Sequence, residues 1–366
     1  MTGNKTSSTT RMTNRMTDGI NVGVVGATGV VGETFLLLLA EREFPVGDLR
    51  LFASDASKGL KRKIHDREFE VTTLTEGCFD GLDIVFFSSG DDISLEWAPK
   101  AIKSGAIAID NSGAFRMRSD IQLSVPEVNG HLLPKLKVGE APGAAAQIIA
   151  NPNCSTIQLV VALKPLADKY GLEFVRVSSY QSVSGAGKNG IEELLEQTKI
   201  AVEGDEPTKG KTFPKVIAFD SIPQIGSFTT DGSAHDGFCS EEIKIMNETR
   251  KILGLPDLKV SAFTVRVPTL NSHAETVWVT LKKPVAKREE IESTLDSGSG
   301  IEVFKFNDGM DYPTQAFASG QDPVYVGRVH KDPTDQTTWM MWVVSDNLRK
   351  GAALNGIQIA EKVYGL

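Results

Sequence analysis

The sequence predicts an α/β protein in two parts: a Rossmann-like dinucleotide-binding domain and a second, α+β domain with a mixed or antiparallel sheet. Three observations predict it. Up to Asp110, short apolar strand candidates alternate with helix-like segments, as in a parallel sheet covered on both faces. The glycine-rich turn Gly26-Ala27-Thr28-Gly29-Val30-Val31-Gly32 lies between the first strand and the first helix. Beyond Pro152 the texture changes to a succession of strand candidates that suit a second sheet. A chain of 366 residues also suits two domains at about 150 residues each.

Residues 1 to 19 are rich in Thr, Ser and Asn, carry Lys5, Arg11 and Arg15 before the first acid at Asp18, and hold no apolar block of a secretory signal. They read as a flexible leader, although the composition also permits part of an organelle-targeting peptide, and Met12 and Met16 offer alternative starts. Residues 20 to 25 read as a strand, Glu33 to Glu43 as a helix ending before Pro45, and Leu49 to Ala53, Leu82 to Ser88 and Ala106 to Asp110 as further strands. Leu172 to Gln181, Val260 to Val267, Glu275 to Leu281, Pro323 to Val329 and Thr337 to Val344 are the later strand candidates. Gly204, Asp205, Pro207 and Lys209 to Lys211 suit an excursion outside the core. From Asn347 to Val363, Leu348, Ala352, Ile359 and Val363 share a helical stripe. The division expected is residues 20–152 with 347–366 for the dinucleotide, and 153–346 for catalysis and oligomerisation; periodicity alone does not dictate the return of the last helix.

Composition narrows the function. With 47 acidic against 39 basic residues and a net charge of −8, a nucleic-acid partner gets no global support. The longest apolar runs, Phe35 to Ala40 and Trp339 to Val344, are far too short for a hydrocarbon core of about 30 Å. Cys78, Cys154 and Cys239 form neither a close pair nor a four-ligand set, so no disulfide scaffold and no metal site is expected.

Gly26, Gly29 and Gly32 follow a strand and open a helix, the order that turns backbone N–H groups toward a pyrophosphate. Their three-residue steps differ from G-x-G-x-x-G, so an ordinary glycine turn stays open. Asp55 suits a ribose hydroxyl, whereas Lys58, Lys61, Arg62 and Lys63 suit either a 2′-phosphate or a solvated surface. Asn151-Pro152-Asn153-Cys154-Ser155-Thr156 precedes an apolar run from Ile157 to Leu163 broken only by Gln158. This puts Cys154 in the first turn of a helix, where N–H groups favour a thiolate. A structural cysteine is equally compatible with the local sequence. Cys78 and Cys239 lack such a setting and read as packing residues.

Further segments occur in order: Asp110-Asn111-Ser112-Gly113-Ala114-Phe115-Arg116-Met117, Ser179-Tyr180-Gln181-Ser182-Val183-Ser184-Gly185-Ala186-Gly187, Glu241-Glu242-Ile243-Lys244, Arg266-Val267-Pro268 with His273, and Asp346-Asn347-Leu348-Arg349-Lys350-Gly351-Ala352-Ala353. With the glycine turn and the cysteine segment, they make residues 20 to 366 resemble aspartate-semialdehyde dehydrogenase of the bacterial and plant type. The resemblance implies that Cys154 is the nucleophile, Gln181 positions the acyl intermediate and His273 is the general acid/base. It implies Arg266 for the substrate α-carboxylate and Glu241 for its amino-acid end. Arg116 and Lys244 become the phosphate-binding cations, with Ser112 and Asn153 as hydrogen-bond partners. Gly26, Thr28, Gly29, Val30, Ser54, Ser57, Ser184, Gly185 and Asn347 become the cofactor contacts.

The implied reaction is the reversible, NADP-dependent conversion of L-4-aspartyl phosphate into L-aspartate 4-semialdehyde and phosphate through a Cys154 thioester, with no metal. A homodimer or homotetramer is implied too, apolar strands within residues 215–345 being candidates for the contact, and no nucleic acid or membrane. Cytoplasm in a bacterium, or an organelle in a eukaryote, is the expected location. Two departures from the family pattern stand out. Where relatives have an Ala-Arg-Ser-Ala-Gly-like stretch, this chain has Asp55-Ala56-Ser57-Lys58-Gly59, and Ala56 lacks the arginine fork, leaving Ser57 or Lys58 to compensate in a choice between NADP and NAD. Ser272 stands where relatives often have glycine, without glycine's backbone freedom. The alternatives are an N-acetyl-γ-glutamyl-phosphate reductase, which the Glu241 and Arg266 contexts disfavour, and a non-catalytic NADP-binding sensor or assembly protein, which Cys154 and His273 disfavour.

Overall fold

The computed structural model describes residues 19–64, 67–306 and 311–366; the expected leader, with Met12 and Met16, lies outside them except for Gly19. The first sheet has eight strands in the order β3-β4-β2-β1-β5-β6-β8-β7. These are β1 (Ile20–Val25), β2 (Val46–Phe52), β3 (Lys61–Ile64), β4 (Arg67–Thr72), β5 (Ile84–Phe87), β6 (Ile107–Asp110), β7 (Gln122–Leu123) and β8 (Ile148–Ala150). All pair in parallel except β3 with β4. Every residue of β1, β5 and β6 is buried, which is why these strands read as continuous apolar runs rather than alternating ones. Helix α1 (Val30–Glu41) follows the glycine turn, α2 (Asp91–Lys103) follows β5, and α3 (Pro126–Asn129) follows β7.

The central helix α4 (Cys154–Tyr170) leads to the second half of the chain. There β9 (Leu172–Gln181), α5 (Gly187–Val202), α6 (Ser240–Leu253), β10 (Lys259–Arg266), β11 (His273–Leu281), α7 (Arg288–Asp296), β12 (Ile301–Val303), α8 (Gln315–Ala318), β13 (Val324–Lys331) and β14 (Thr338–Ser345) follow. The six strands form a mixed sheet in the order β10-β9-β11-β14-β13-β12. Burial alternates along β9 and β10. Val175, Val177, Val260, Ala262, Val277 and Val279 pack with Ile157, Val160 and Leu163 of α4 into one core, while Phe263 on the opposite face is 56% exposed. A π-helical turn, Arg349–Ala353, leads into α9 (Leu354–Tyr364). Helix α9 joins the core of the first sheet with Phe35, Phe86 and Ile109. Gly356 makes this close approach, since a Cβ there would lie 2.9 Å from the Phe35 ring.

The predicted class is the observed one: a Rossmann-like sheet with a second, mixed-sheet α+β unit. One alternative that the sequence leaves open is narrowed. The basic run from Lys58 to Lys63 enters the edge hairpin β3–β4, where Lys61 pairs with Glu68 and Arg62 with Glu33, so these two cations already have protein partners. Between α5 and α6 the chain forms only the isolated bridges Ile222↔Arg266 and Phe228↔Cys239, and the strands expected within residues 215–345 lie between Lys259 and Ser345.

Candidate active site

Register sets the site. Parallel pairing puts Arg266 of β10 opposite Gln181 of β9, and antiparallel pairing puts His273 of β11 opposite Gln181 on its other side. The three therefore stand abreast on the covered face, at the ends of the rows that hold the sheet to α4. Cys154 begins α4, and a cleft of about 670 Å³ runs from it to the glycine turn, lined also by Arg116, Gln181, Glu241 and Arg266.

Asn153 caps α4: its Oδ1 accepts from the N–H groups of Ser155 (3.0 Å) and Thr156 (3.3 Å), as a good N-cap does. Its Nδ2 donates to Glu241 at 2.7 Å. The helix start does not by itself yield a thiolate. Protein packed round the sulfur pushes the Cys154 thiol up to about 12, and Glu241 adds to the rise, against the pull of Arg266, Arg116 and the Ser155 N–H. Desolvation thus opposes the pull of the helix start on this thiol.

His273 is fully buried. Its Nδ1 accepts from the Ser182 main-chain N–H at 3.2 Å, a group that can only donate, so the neutral ring carries its proton on Nε2. That Nε2 has no hydrogen-bond partner among the described residues, and it faces Gly185, where an added Cβ would lie 3.2 Å from it. Burial and then the Arg266 charge lower the imidazole to about 3 from 6.5. The resting ring is therefore neutral, with its N–H at Nε2. Because the folded state binds this proton more weakly than the unfolded chain, the associated stability is present above pH 6.5 and is lost as pH falls from there toward about 3. The stability advantage of wild type over His273→Gln is predicted to shrink by up to about 1 kcal/mol per pH unit in that window. Urea unfolding of both proteins from pH 7 to 4 checks this; a constant difference contradicts it. Ser272 adopts φ +68°, the left-handed geometry glycine takes freely, and its carbonyl accepts from Gln315 at 2.8 Å.

The polar groups predicted for substrate line the cleft. Arg116 is buried, with Nε on the Asn151 carbonyl (3.0 Å), Nη2 on the Asn111 carbonyl (2.7 Å) and Nη1 on Glu248 (3.1 Å). Burial works against its charge, but Glu248 and Glu241 hold it above the ordinary value. Lys244 is more open and lies 3.6 Å from Glu241. Arg266 donates to the Ser182 carbonyl at 2.7 Å, and burial lowers its pKa with Glu241 opposing. Gln181 Nε2 donates to Ser179 at 3.2 Å. Ser112 lines the cleft, yet it is buried and its hydroxyl donates to buried Asp110 at 2.6 Å, so it braces the loop.

The cofactor residues divide. Gly29, Val30, Ser184, Gly185 and Asn347 line the cleft, whereas Gly26, Thr28, Ser54 and Ser57 lie outside its lining. Gly26 needs its φ of +86°, and a Cβ on Gly32 would fall 2.1 Å from the Gly26 carbonyl oxygen, so these two shape the turn. At Gly29 a Cβ would meet only the Gly26 carbonyl oxygen, at 3.4 Å; its space opens toward the cleft, as a pyrophosphate needs. Thr28 and Ser57 hydroxyls bond each other at 3.2 Å, and Ser54 is exposed. Asn347 donates to Ser184 at 2.9 Å and accepts from Ser182 at 3.1 Å. Sequence reasoning missed Lys188, whose Nζ reaches the Thr28 carbonyl and Glu33, each at 3.0 Å. It also missed the packing role of Gly351, where a Cβ would lie 3.0 Å from that of Cys154. Among the described residues no group of three or more His, Cys, Asp or Glu is arranged to hold a metal ion.

A dinucleotide-type sheet facing a cysteine-headed helix, with buried arginines and a histidine between them, defines a two-part dehydrogenase that works through a catalytic cysteine. Comparison with known proteins agrees. The semialdehyde dehydrogenase NAD-binding domain matches residues 21–135, and the semialdehyde dehydrogenase dimerisation domain matches residues 163–350. Aspartate-semialdehyde dehydrogenase of Aquifex aeolicus is 46% identical over 344 residues, covering 94% of this chain and 97% of that protein. The crystal structure of aspartate-semialdehyde dehydrogenase II from Vibrio cholerae complexed with ASA is 43% identical, with a TM-score of 0.86 over 94% of this chain and 98% of that one. The Candida albicans enzyme, solved with NADP, is 26% identical with a TM-score of 0.70, over 94% and 98% of the two chains. The chain belongs to the aspartate-semialdehyde dehydrogenase family.

Proposed function

We propose that the protein catalyses the reversible, NADP-dependent reductive dephosphorylation of L-4-aspartyl phosphate to L-aspartate 4-semialdehyde. The observation that carries this reading is the row Arg266, Gln181, His273, of which Arg266 and Gln181 line the cleft together with Cys154 and Arg116. Arg266 suits an α-carboxylate, and Glu241 the ammonium of the same amino acid. Cys154 attacks the acyl carbon, and collapse of the tetrahedral intermediate expels phosphate, which carries away the thiol proton, toward Arg116 and Lys244 and leaves a thioester. When bound, the reduced dinucleotide supplies hydride to that thioester. His273 Nε2–H donates to the carbonyl oxygen as negative charge develops there, and Gln181 holds the acyl group. Reformation of the carbonyl then breaks the carbon–sulfur bond and returns Cys154. In reverse, phosphate attacks the thioester. Gly29, Val30, Ser184, Gly185 and Asn347 provide the cleft-lining cofactor contacts in this reading.

An N-acetylated glutamyl phosphate has no ammonium to offer Glu241, which disfavours the nearest alternative. The deciding assay compares L-4-aspartyl phosphate with N-acetyl-L-glutamyl 5-phosphate, each with NADPH and with NADH. Turnover of the first with NADPH is expected; exclusive use of the acetylated substrate overturns the assignment, and stronger use of NADH overturns the cofactor choice. The same reading takes the open face of the six-stranded sheet, with exposed Phe263, as the contact of a homodimer or homotetramer.

A further inference from the structure

Helix α6 carries Glu241, Lys244, Glu248 and Lys251 at steps of three and four residues, a single face of a helix. Glu241 and Lys244 line the cleft. The other two act behind it. Glu248 is 1% exposed; one carboxylate oxygen accepts from Arg116 Nη1 at 3.1 Å, and the other accepts from the Asn153 main-chain N–H at 2.7 Å. Lys251 Nζ donates to the carbonyls of Arg116 (2.7 Å), Arg118 (2.7 Å) and Ile121 (2.9 Å), which engages all three ammonium hydrogens on the turn that carries Arg116.

We propose that Glu248 and Lys251 are positioning residues for the phosphate step: together they lock the Arg116 guanidinium toward phosphate, and Glu248 ties it to the loop that presents Cys154. The inference rests on Arg116 being a phosphate ligand, as proposed above. With Nε and one hydrogen on each terminal nitrogen held by Asn151, Asn111 and Glu248, the guanidinium keeps one N–H on each terminal nitrogen for an anion, in the fork that matches two phosphate oxygens. Without Glu248, an arginine this deep would lose its counter-charge and turn to find another. Glutamine there cannot serve both neighbours, because Arg116 and the Asn153 N–H both donate and its amide nitrogen donates as well. The link also has a geometric purpose. Phosphate departs from, or attacks, the carbon bonded to the Cys154 sulfur, so the anion site and the nucleophile must keep one separation to within a fraction of an ångström.

The test is steady-state oxidation of L-aspartate 4-semialdehyde by NADP at varied inorganic phosphate, for wild type, Glu248→Gln, Lys251→Met and Lys251→Arg. Glu248→Gln and Lys251→Met are expected to raise KM for phosphate about tenfold or more, the size of a lost charged hydrogen bond, with KM for semialdehyde and for NADP changing less than about twofold. Lys251→Arg, which keeps donors for the carbonyls, is expected to return KM for phosphate toward wild type. A fall in kcat alone, or equal rises in all three KM values, would show a merely structural role and overturn the proposal. Should Glu248→Gln fail to fold, the less buried Lys251 pair decides the question by itself. Wild-type turnover indifferent to phosphate would sink the underlying reading, and this inference with it.

Discussion

Replacing Cys154 with alanine is expected to reduce turnover at least about 10⁴-fold while leaving the dissociation constant for NADP within about twofold of wild type. The substitution is clean for a half-buried residue at a helix start. Only the sulfur is removed; the Cβ that packs against Gly351 stays, and the helix start remains capped by Asn153 and tied through Glu241 and Glu248. Nothing in that frame depends on the thiol, so a loss of rate reports chemistry rather than folding. Turnover by titration of product and cofactor affinity by fluorescence give the two readouts. Mass spectrometry supplies a third: with semialdehyde and NADP but no phosphate, wild type should accumulate an acyl adduct on Cys154 that the variant lacks. Undiminished turnover in the variant, or an adduct on another residue, would remove Cys154 from the reaction.

Much of this frame is legible in the sequence, for reasons that differ by element. Strands β1, β5, β9, β10, β11 and β14 announce themselves because each is either apolar throughout or apolar at alternate positions. The hairpin β3–β4 hides because its residues are charged on both faces of an edge, so the run from Lys58 to Lys63 reads as surface or as an anion site. Cys154, Gln181, Arg266 and His273 are found because each sits in a recognisable segment. Glu248 and Lys251 are not, although their spacing from Glu241 and Lys244 on one helix face was a usable signal. Their partners are remote: 132 residues separate Arg116 from Glu248. The same holds for buried Lys350, whose Nζ reaches Glu127 at 2.7 Å across 223 residues and anchors the π-helical turn that contains Gly351. Local pattern identifies the groups that touch a ligand better than the groups that hold those in place, since the latter are defined by long-range contact. Burial is the other quantity that local pattern misjudges. A helix start argues for a thiolate at Cys154, and the packed surroundings work against it.

Gly185→Ala is expected to lower kcat/KM at least about 100-fold with little change in thermal stability, because a misplacement of about 1 Å in a catalytic constellation carries a penalty of that size. Gly185 lies in the turn between β9 and α5 and has no left-handed φ, so alanine can adopt its backbone without strain. What it cannot do is share the space: the new Cβ would lie 2.8 Å from Arg266 Nη1 and 3.2 Å from His273 Nε2. Both side chains are held from behind, Arg266 by the Ser182 carbonyl and His273 by the Ser182 N–H, so one methyl group must disturb the carboxylate fork and the proton donor together. The methyl also enters the volume that the resemblance gives to the cofactor. The kinetic signature follows from that geometry. Loss through Arg266 raises KM for the semialdehyde, loss through His273 lowers kcat, and crowding of the dinucleotide raises KM for NADP, so a single glycine is predicted to move all three. Ser184→Ala, one residue earlier, removes a hydroxyl bonded to Asn347 and Asn271 without entering that space, and is expected to move only the cofactor affinity. If Gly185→Ala retained wild-type kinetics, Arg266 and His273 would have room to retreat, and the neutral, tightly seated imidazole assigned here to the carbonyl oxygen would have to be abandoned.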